Sequence, residues 1–349
     1  MSHFHKLVIS EVKKETPNSV SISLQVPDNL QQDFRFQAGQ YITFKHDIDG
    51  IEVRRAYSLC SSPSSGILRV GIKKVEGGTF SVFANEQLSV GDMLEVMPPE
   101  GMFVFKPEEN TANTYGAFVA GSGITPVLSI IKDVLEREAN SSFVLVYGNQ
   151  TQEECMFYAE LEALKSTFEG RLKIEYIYSR SKELNALQGR IDKSVVNYLL
   201  KNKYGETEFA SYYLCGPEAM INEVSNTLKG RGVAAEAILF ELFTSSDDGE
   251  LTEDHDGSTS ITITLDDEVT TFTMSQEKSV LDASIKEGLD APFSCQGGIC
   301  STCIARVKEG KVEMRKNQIL TDSELAEGLI LTCQAHPTTS KVVVDYDDV

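Results

Sequence analysis

Residues 292–303, PFSCQGGICSTC, decide the fold of the C-terminal part of this 349-residue chain. They contain three of its seven cysteines, Cys295, Cys300 and Cys303, and a fourth, Cys333, follows in LTCQAHP. The spacing of the four is therefore C-x4-C-x2-C-x29-C. An odd number of clustered cysteines favours metal or redox chemistry over a framework of disulfides in a reducing compartment.

The spacing is typical of a plant-type [2Fe–2S] cluster, in which four thiolates hold two irons and two sulfides. Gly297 and Gly298 allow the loop backbone to approach a cluster closely and to turn amide N–H groups towards sulfur. Structural zinc and unliganded core thiols are the alternatives, but zinc sites usually show two C-x2–4-C pairs, whereas Cys333 stands alone. We therefore expect all four cysteines to be ligands of a [2Fe–2S] cluster.

The charge of the chain limits its partners. The net charge is −20, and residues 247–349 hold 21 acidic and eight basic side chains. Such a surface repels nucleic acid and anionic membrane, and it serves either solubility alone or docking on a basic face of a protein partner. No apolar run approaches the ~20 residues of a membrane span, and the first residues lack the features of a signal peptide. We expect a cytoplasmic protein that binds neither nucleic acid nor membrane.

The chain divides into three blocks by hydrophobic pattern. Residues 1–107 contain alternating segments such as SVSISLQV between Gly and Pro turns, which predicts antiparallel strands. Residues 108–246 alternate buried-type strands with helical segments, which predicts a doubly wound parallel sheet. Residues 247–258 are polar and acidic and are predicted to be a linker. In residues 259–349 strands resume, with a hairpin expected around Asp266 and Asp267.

Two short motifs of the second block follow predicted strands and precede predicted helices. AGSGITP, residues 120–126, places Gly121 and Gly123 where backbone N–H groups of a helix N-terminus can meet a phosphate. Alone, this motif is equally consistent with a tight turn that binds nothing. CGP, residues 215–217, lies at the same carboxyl edge of the expected sheet, where open α/β sheets bind their ligands.

Together the two motifs resemble the pyridine-nucleotide domain of the ferredoxin–NADP reductase superfamily. That resemblance implies that Cys215 lines the nicotinamide site as a contact and not as a nucleophile. The nucleotide-binding residues implied by the likeness are Gly121, Gly123, Thr125, Pro126, Gly216 and Pro217. In NADPH-using relatives a Ser–Arg pair after the third strand grips the 2′-phosphate, and Ser179 and Arg180 match it in YSR. A solvated arginine, and with it NADH, is the alternative.

The first block resembles the flavin domain of the same superfamily, an antiparallel β-barrel. RRAYSLCSSP contains the R-x-Y-S strand, in which Arg55 would pair with flavin phosphate, Tyr57 pack on the flavin ring and Ser58 lie near its reactive nitrogen. GGTFS would place three residues at the pyrophosphate: Gly78, Phe80 and Ser81. FELF closes the nucleotide block and would place two residues against the flavin: Glu241 and Phe243. The resemblance favours FAD, and no residue excludes FMN.

The third block resembles the plant-type ferredoxin family, a β-grasp fold, through its four cysteines, APFSCQGGICSTC and LTCQA. End to end, the chain is similar to the reductase components of multicomponent oxygenases, and in particular to the reductase subunits of phenylacetyl-CoA epoxidase (ring-1,2-epoxidase) complexes. FKHDIDGIEVRRAYSLCSSP, GDMLEVMPPEGMF and YGNQTQEE share in this likeness. It implies electron transfer from NADPH through FAD and a [2Fe–2S] cluster to a multisubunit di-iron oxygenase in phenylacetate degradation. The catalytic candidates are Ser58, Cys215 and Glu241.

Two other functions stay open at this point. The chain could serve another oxygenase, a hydroxylase or a desaturase within the same oxidoreductase class. It could also be a metal-stabilised interaction module fused to a flavoprotein, through which no electrons pass. Reduction of the cluster by NADPH would separate the second possibility from the rest.

Overall fold

The computed structural model describes residues 4–108, 110–243 and 257–349. Most of the barrel domain and the whole nucleotide domain belong to one compact unit, and the C-terminal domain belongs to another. The predicted linker, residues 247–258, lies outside the described residues except for its last two positions. Within the described ranges, no helix has the length and apolar character needed to cross a membrane.

The first domain is a six-stranded antiparallel sheet. Its elements are β1 (His5–Thr16), β2 (Ser19–Gln25), β3 (Tyr41–Ile48), β4 (Ile51–Ser58), β5 (Leu68–Lys73), α1 (Phe80–Glu86) and β6 (Met93–Val96). The strand order is β4-β3-β6-β1-β2-β5, and a bridge between Leu59 and Val70 connects its two ends. This closure gives the sheet the form of a barrel, as predicted. Alternate residues of β5, for example Leu68, Val70 and Ile72, are buried in the barrel core.

The second domain is a six-stranded sheet whose paired strands are all parallel. Its elements are β7 (Thr114–Ala120), α2 (Ile124–Arg137), β8 (Ser142–Asn149), α3 (Tyr158–Thr167), β9 (Leu172–Tyr178), β10 (Ala186–Gln188), α4 (Lys193–Tyr198) with a π-helical turn (Leu199–Lys203), β11 (Ser211–Cys215), α5 (Glu218–Gly230) and β12 (Ile238–Glu241). The order β10-β9-β8-β7-β11-β12 reverses direction between β7 and β11. Right-handed crossovers therefore place helices on both faces, and the predicted doubly wound sheet is confirmed.

The helix α3 begins later than its sequence suggests. The segment ECMFYAELEALKSTF predicts a helix from about residue 154, but α3 starts at Tyr158. Phe157, which precedes it, has a left-handed backbone conformation with φ of 59° and a side chain only 1% exposed. Burial of this aromatic ring in the core holds the backbone in a conformation that a helix cannot contain. Residues 151–157 therefore form turns.

The C-terminal domain contains a five-stranded mixed sheet of order β14-β13-β19-β15-β17 and a small sheet of β16 and β18. Its elements are β13 (Ser258–Leu265), β14 (Glu268–Ser275), α6 (Val280–Lys286), β15 (Ile304–Glu309), β16 (Val312–Met314), α7 (Asp322–Ala326), β17 (Leu329–Leu331), β18 (Ala335–Pro337) and β19 (Lys341–Asp345). Strands β13 and β19 are parallel, whereas β13 and β14 form a hairpin. This arrangement is the predicted β-grasp fold.

The hairpin turns where the sequence predicts it. Asp266 and Asp267 both have positive φ, 54° and 61°, as a two-residue type I′ turn requires. Their amides donate to the two carboxylate oxygens of Asp347, at 2.9 and 2.8 Å. The domain's first helix is capped by Ser279, whose side chain accepts from the amide of Asp282.

Candidate active site and cluster site

The four cysteines of the C-terminal domain lie as two pairs. The side chain of Cys300 interacts most strongly with that of Cys295, and the side chain of Cys303 with that of Cys333. The interaction with Cys300, helped by the amide of Gly297 at 3.3 Å from the Cys295 sulfur, lowers the pKa of Cys295 to about 7. A thiol that ionises easily and accepts backbone N–H groups is suited to be a metal ligand.

The loop between the cysteines is held by its own backbone. Gly298 has φ of +70°, and an added Cβ there would lie 2.8 Å from the carbonyl oxygen of Lys316. The side chain of Gln334, next to Cys333, donates to the carbonyl of Gln296 at 2.8 Å. These contacts hold the first three cysteines close to the fourth, although 29 residues separate them in sequence.

The pairing of the thiols fits a cluster of two irons. In residues 4–108, 110–243 and 257–349, no three His, Cys, Asp or Glu side chains converge on one position that could hold a metal ion. Two separate thiol pairs are what a [2Fe–2S] cluster needs, since each iron takes two cysteine ligands and shares the two sulfides. Three of these cysteines are at least 91% buried, Cys300, Cys303 and Cys333, and Cys295 is partly exposed.

In the nucleotide domain, the two predicted glycine motifs meet at the point where strand order reverses. AGSG follows β7 and CGP follows β11, and these strands are neighbours. An added Cβ on Gly123 would lie 2.3 Å from the carbonyl oxygen of Cys215, and one on Gly216 would lie 3.2 Å from the Cβ of Ala120. Glycine is therefore needed at both positions for the motifs to pack together. Crevices at such a switch point are where open α/β sheets bind ligands.

The structure brings together the three residues proposed as catalytic. Ser58 ends β4 of the barrel, and its hydroxyl donates to a carboxylate oxygen of Glu241 at 3.0 Å. Glu241 ends β12 and is the register partner of Cys215, which ends β11. Burial, together with the Glu241 carboxylate, raises the pKa of Cys215 well above its ordinary value. Cys215 is therefore a neutral thiol with no exposed surface, which agrees with a contact and not with a nucleophile.

The predicted flavin residues occupy different environments. Tyr57 is half-buried, and its ring centroid lies 5.6 Å from that of Phe80. Phe80 is 1% exposed and stacks on Phe44 within the barrel core, so its side chain is structural. Arg55 is exposed and donates to the carbonyl of Arg54 at 2.7 Å. Phe243, at the end of the nucleotide domain, is 36% exposed.

The GGTFS segment is arranged around one hydroxyl. Ser81 is buried, and its hydroxyl accepts from the amide of Val75 at 3.2 Å. An added Cβ on Gly78 would lie 2.5 Å from this hydroxyl, so a larger residue would displace it. These contacts make the segment compact. Because the side chain of Phe80 is buried, only its backbone N–H could meet a phosphate.

Buried side chains hold the nucleotide loop, AGSGITP, in place by hydrogen bonds. The hydroxyl of Tyr147, fully buried in β8, donates to the carbonyl of Gly121 at 3.0 Å. Thr125 is 2% exposed and its hydroxyl donates to the carbonyl of Ser122, so this side chain shapes the loop. Pro126 is buried in the first turn of α2, where its missing N–H costs nothing.

Two arginines follow the carboxyl ends of β9 and β10. Ser179 and Arg180 follow β9, and their amides donate to the carbonyls of Asn149 and Gln150. Arg190 follows β10, which pairs with β9 up to Gln188. Both arginines are exposed, and neither guanidinium has a hydrogen-bond or ion-pair partner in the part of the chain that the structure describes. The sequence reasoning missed Arg190 because β10 is three residues long and has no readable periodicity.

A lysine of the barrel is the second residue that the sequence reasoning missed. Lys73 ends β5, and its ammonium lies 3.9 Å from the position of an added Cβ on Gly121. It is half-buried and has no ion-pair partner among the described residues. The alternating pattern of ILRVGIKKV could have predicted this position of Lys73, because it places Arg69, Gly71 and Lys73 on the strand face opposite the core residues.

Three family models match the chain. An oxidoreductase FAD-binding domain matches residues 6–105, an oxidoreductase NAD-binding domain matches residues 118–226, and a 2Fe-2S iron-sulfur cluster binding domain matches residues 263–338. The predicted flavin, nicotinamide and [2Fe–2S] domains are thereby confirmed.

Relatives extend over the whole chain. One component of the 1,2-phenylacetyl-CoA epoxidase of Escherichia coli (strain K12) is 38% identical over 99% of both chains. The chain belongs to the family of iron–sulfur flavoprotein reductases. A second member, the ferredoxin reductase component of 3-ketosteroid-9-alpha-monooxygenase from Rhodococcus rhodochrous, is 31% identical over 97% of this reductase and 96% of its own length. A glycine betaine monooxygenase reductase subunit from Pseudomonas aeruginosa is 29% identical over 90% of this chain and 88% of its own.

Solved structures share the fold. Phthalate dioxygenase reductase, described as a modular structure for electron transfer from pyridine nucleotides to [2Fe–2S], matches with a TM-score of 0.60 at 23% identity over 98% of both chains. An intact type IV self-sufficient cytochrome P450 monooxygenase matches with a TM-score of 0.70 at 21% identity, covering 98% of this chain and 41% of that one. These structures show the fold, whereas the three family models and the full-length relatives show that the reductase is an oxidoreductase with FAD, NAD and [2Fe–2S] domains for electron transfer.

Proposed function

We propose that this reductase takes electrons from NADPH and delivers them, through FAD and its cluster, to a multisubunit di-iron oxygenase that epoxidises the ring of phenylacetyl-CoA. When bound, nicotinamide supplies two electrons as hydride, flavin accepts the pair and the cluster passes on single electrons. The reductase likeness of the whole chain supports the electron path. The 38% identity to the phenylacetyl-CoA epoxidase component supports the choice of oxygenase.

The observation that most strongly supports the path is the hydrogen bond from Ser58 to Glu241. It connects the R-x-Y-S strand of the barrel with the carboxyl edge of the nucleotide sheet, beside Cys215. A polar pair at this junction can hold a proton near a flavin nitrogen, while the neutral thiol packs against a nicotinamide without competing for hydride. The residues proposed to bind flavin are Arg55, Tyr57, Ser58, Gly78, Phe80, Ser81 and Phe243.

The two arginines support NADPH over NADH. A 2′-phosphate is a dianion, and Arg180 and Arg190 are unpaired, exposed guanidinium groups beside Ser179 among the residues that the structure describes. The pyrophosphate and nicotinamide would be held by Gly121, Gly123, Thr125, Pro126, Gly216 and Pro217. Lys73, beside Gly121, adds a positive charge at the same place.

The nucleotide preference is tested with Arg180→Ala, Arg190→Ala and their double variant. We expect the KM for NADPH to rise about tenfold in each single variant and further in the double, because each removes a charge-assisted contact of roughly 1.4 kcal/mol. The KM for NADH should stay within twofold. Lys182→Ala, an exposed cation two residues from Arg180, is the matched control. Equal losses with both nucleotides would reject the phosphate assignment.

The oxygenase partner is tested by reconstitution. The purified reductase is mixed with the oxygenase subunits of a phenylacetyl-CoA epoxidase, and NADPH oxidation is compared with epoxide formed. Tight coupling is the expected result. The 31% identity to a ketosteroid monooxygenase component makes that oxygenase the second candidate, and stronger coupling to it would replace the first.

A further inference from the structure

One strand of the barrel, β5, presents its outer face to the nucleotide domain. Arg69, Gly71 and Lys73 alternate along this face, since side chains two apart in a strand point the same way. An added Cβ on Gly71 would lie 2.8 Å from the methyl group of Thr125 and 2.8 Å from the ring of Phe157. The first turn of α2 and the turn before α3 are therefore packed directly on the strand backbone.

An ion-pair cluster lies at one end of the contact between β5 and the nucleotide domain. The guanidinium of Arg69 donates to both carboxylate oxygens of Glu160, at 2.7 and 2.8 Å, and its carbon lies 5.4 Å from the centre of the Phe157 ring. Lys132, in α2, contacts the same carboxylate at 2.5 Å and donates to the carbonyl of Cys60 at 3.0 Å. The carboxylate of Glu160 in α3 thus contacts both the barrel strand and helix α2. Lys132 extends this network to the loop that follows β4.

The cluster is well shielded from water. The side chains of Arg69, Glu160 and Lys132 are 16%, 22% and 11% exposed. Burial raises the pKa of Glu160, but the cations of Lys132 and Arg69 outweigh it, so the net pKa is lowered and the carboxylate is charged. Because the Nη2 atom of Arg69 and the ammonium of Lys132 both contact one carboxylate in dry surroundings, the three groups are held in one arrangement.

The other end of the β5 contact is the nucleotide loop. Lys73 is four residues along the strand from Arg69, about 13 Å at the usual rise per residue, and it approaches Gly121. The Gly71 contact lies between the two ends. Loosening of the Glu160 end would therefore be expected to shift the loop at the Gly121 end relative to the barrel.

We propose that Glu160 is a positioning residue, which fixes the nucleotide domain on β5 and thereby sets the approach of nicotinamide to flavin. This inference rests on the proposed transfer of hydride from a nicotinamide to the flavin. Hydride transfer needs reacting atoms within about 3–3.5 Å, and a misplacement of 1 Å can cost about a hundredfold in rate. The affinity for nucleotide should change little, because the groups proposed to bind its phosphates lie far from Glu160 in sequence and on other elements.

The test uses the full-length holoprotein and the Glu160→Gln variant, which keeps the side-chain size and removes the charge. In anaerobic stopped-flow experiments with NADPH, we expect the limiting rate of flavin reduction to fall at least tenfold, with a dissociation constant within twofold of the parent. Hydrogen exchange of the nucleotide-free protein should become faster in residues 68–73. Glu162→Gln is the matched control, since Glu162 is on the same helix but accepts from Tyr176 inside the nucleotide domain.

Several outcomes distinguish the alternatives. An unchanged limiting rate in Glu160→Gln, or a dissociation constant that rises as much as the rate falls, overturns the positioning role. Should Glu160→Gln fail to fold, Arg69→Lys takes its place, because it keeps the charge but loses the guanidinium group that contacts both carboxylate oxygens and the Phe157 ring. Three- to tenfold slower reduction is expected there, and parental kinetics overturn the proposal. Failure of NADPH and NADH to reduce the flavin of the parent would instead refute the proposed function itself.

Discussion

The cluster loop and the flavin–nicotinamide crevice are built in opposite ways. Three of the four cluster cysteines lie within nine residues, and the backbone of the loop itself holds them in place. Ser58 and Glu241, which meet in the crevice, are 183 residues apart and meet only because two domains pack together. Damage to the loop should therefore stay local, whereas damage to the domain contact should affect hydride transfer and leave the cluster unchanged.

The largest expected effect comes from breaking the loop with Cys300→Ser. Loss of one thiolate should remove the cluster and lower cytochrome c reduction at least a hundredfold, because the one-electron exit is gone. Ferricyanide reduction, which the flavin supports alone, should stay within twofold. Absorbance and EPR spectra of the purified variant report the loss of the cluster. A parallel fall of both activities would show that the two regions are not independent.

Ser58→Ala removes the hydrogen bond between the barrel and the nucleotide domain. Removal of the hydroxyl leaves Glu241 without this partner, and we expect flavin reduction by NADPH to slow by about tenfold to a hundredfold. The cluster spectrum should be unchanged, in contrast to Cys300→Ser. Ser89→Ala, at an exposed serine of the barrel, is the control. An altered cluster spectrum in the crevice variant would contradict the separation of the two regions.

Gly298→Ala tests how far the cluster loop depends on the close contact between its own backbone and Lys316. The substitution forces a Cβ towards the Lys316 carbonyl at positive φ, and we expect about 1–3 kcal/mol lower stability of the domain with weaker cluster retention. Thermal unfolding followed by cluster absorbance measures it. At Gly288, φ is also positive but nothing lies within 4 Å of an added Cβ, so Gly288→Ala reports the backbone cost alone. Equal losses in both variants would mean that the Lys316 contact does not matter.

The smallest expected effect is in the nucleotide domain. Asp133 is 1% exposed, and burial raises its pKa to about 6, with Arg137 opposing at 3.8 Å. The folded protein therefore binds more protons than the unfolded chain between about pH 4 and 6, and stability falls as pH rises through that window. Asp133→Asn should raise stability by about 1–2 kcal/mol at pH 8. Chemical unfolding at pH 8 and pH 4 measures this gain, which should vanish at pH 4.

The cluster loop could be predicted from sequence because its chemistry and its geometry are both local. Four cysteines at a fixed spacing and the glycines between them specify the ligands without knowledge of the rest of the chain. The type I′ hairpin at Asp266 and Asp267 was predictable for the same reason, since residues that tolerate positive φ define the turn.

Features that depend on the contact between domains could not be predicted in this way. The late start of α3 follows from the burial of Phe157, which the helical pattern of its sequence conceals. The pairing of Ser58 with Glu241, and of Glu160 with two cations, depends on how the barrel and nucleotide domains pack. For Phe80, the resemblance implied a cofactor contact, whereas its side chain belongs to the barrel core.

The closure of the barrel has a consequence for its solubility. Strand β5 pairs fully with β2 on one side only, and on the other side it is joined by a single bridge between Leu59 and Val70. The nucleotide domain covers its outer face, where Gly71 offers bare backbone. A barrel cut free at the domain boundary would expose this strip to water, because Thr125 and Phe157 would no longer pack on it. We therefore expect the isolated barrel to be less soluble than the whole reductase.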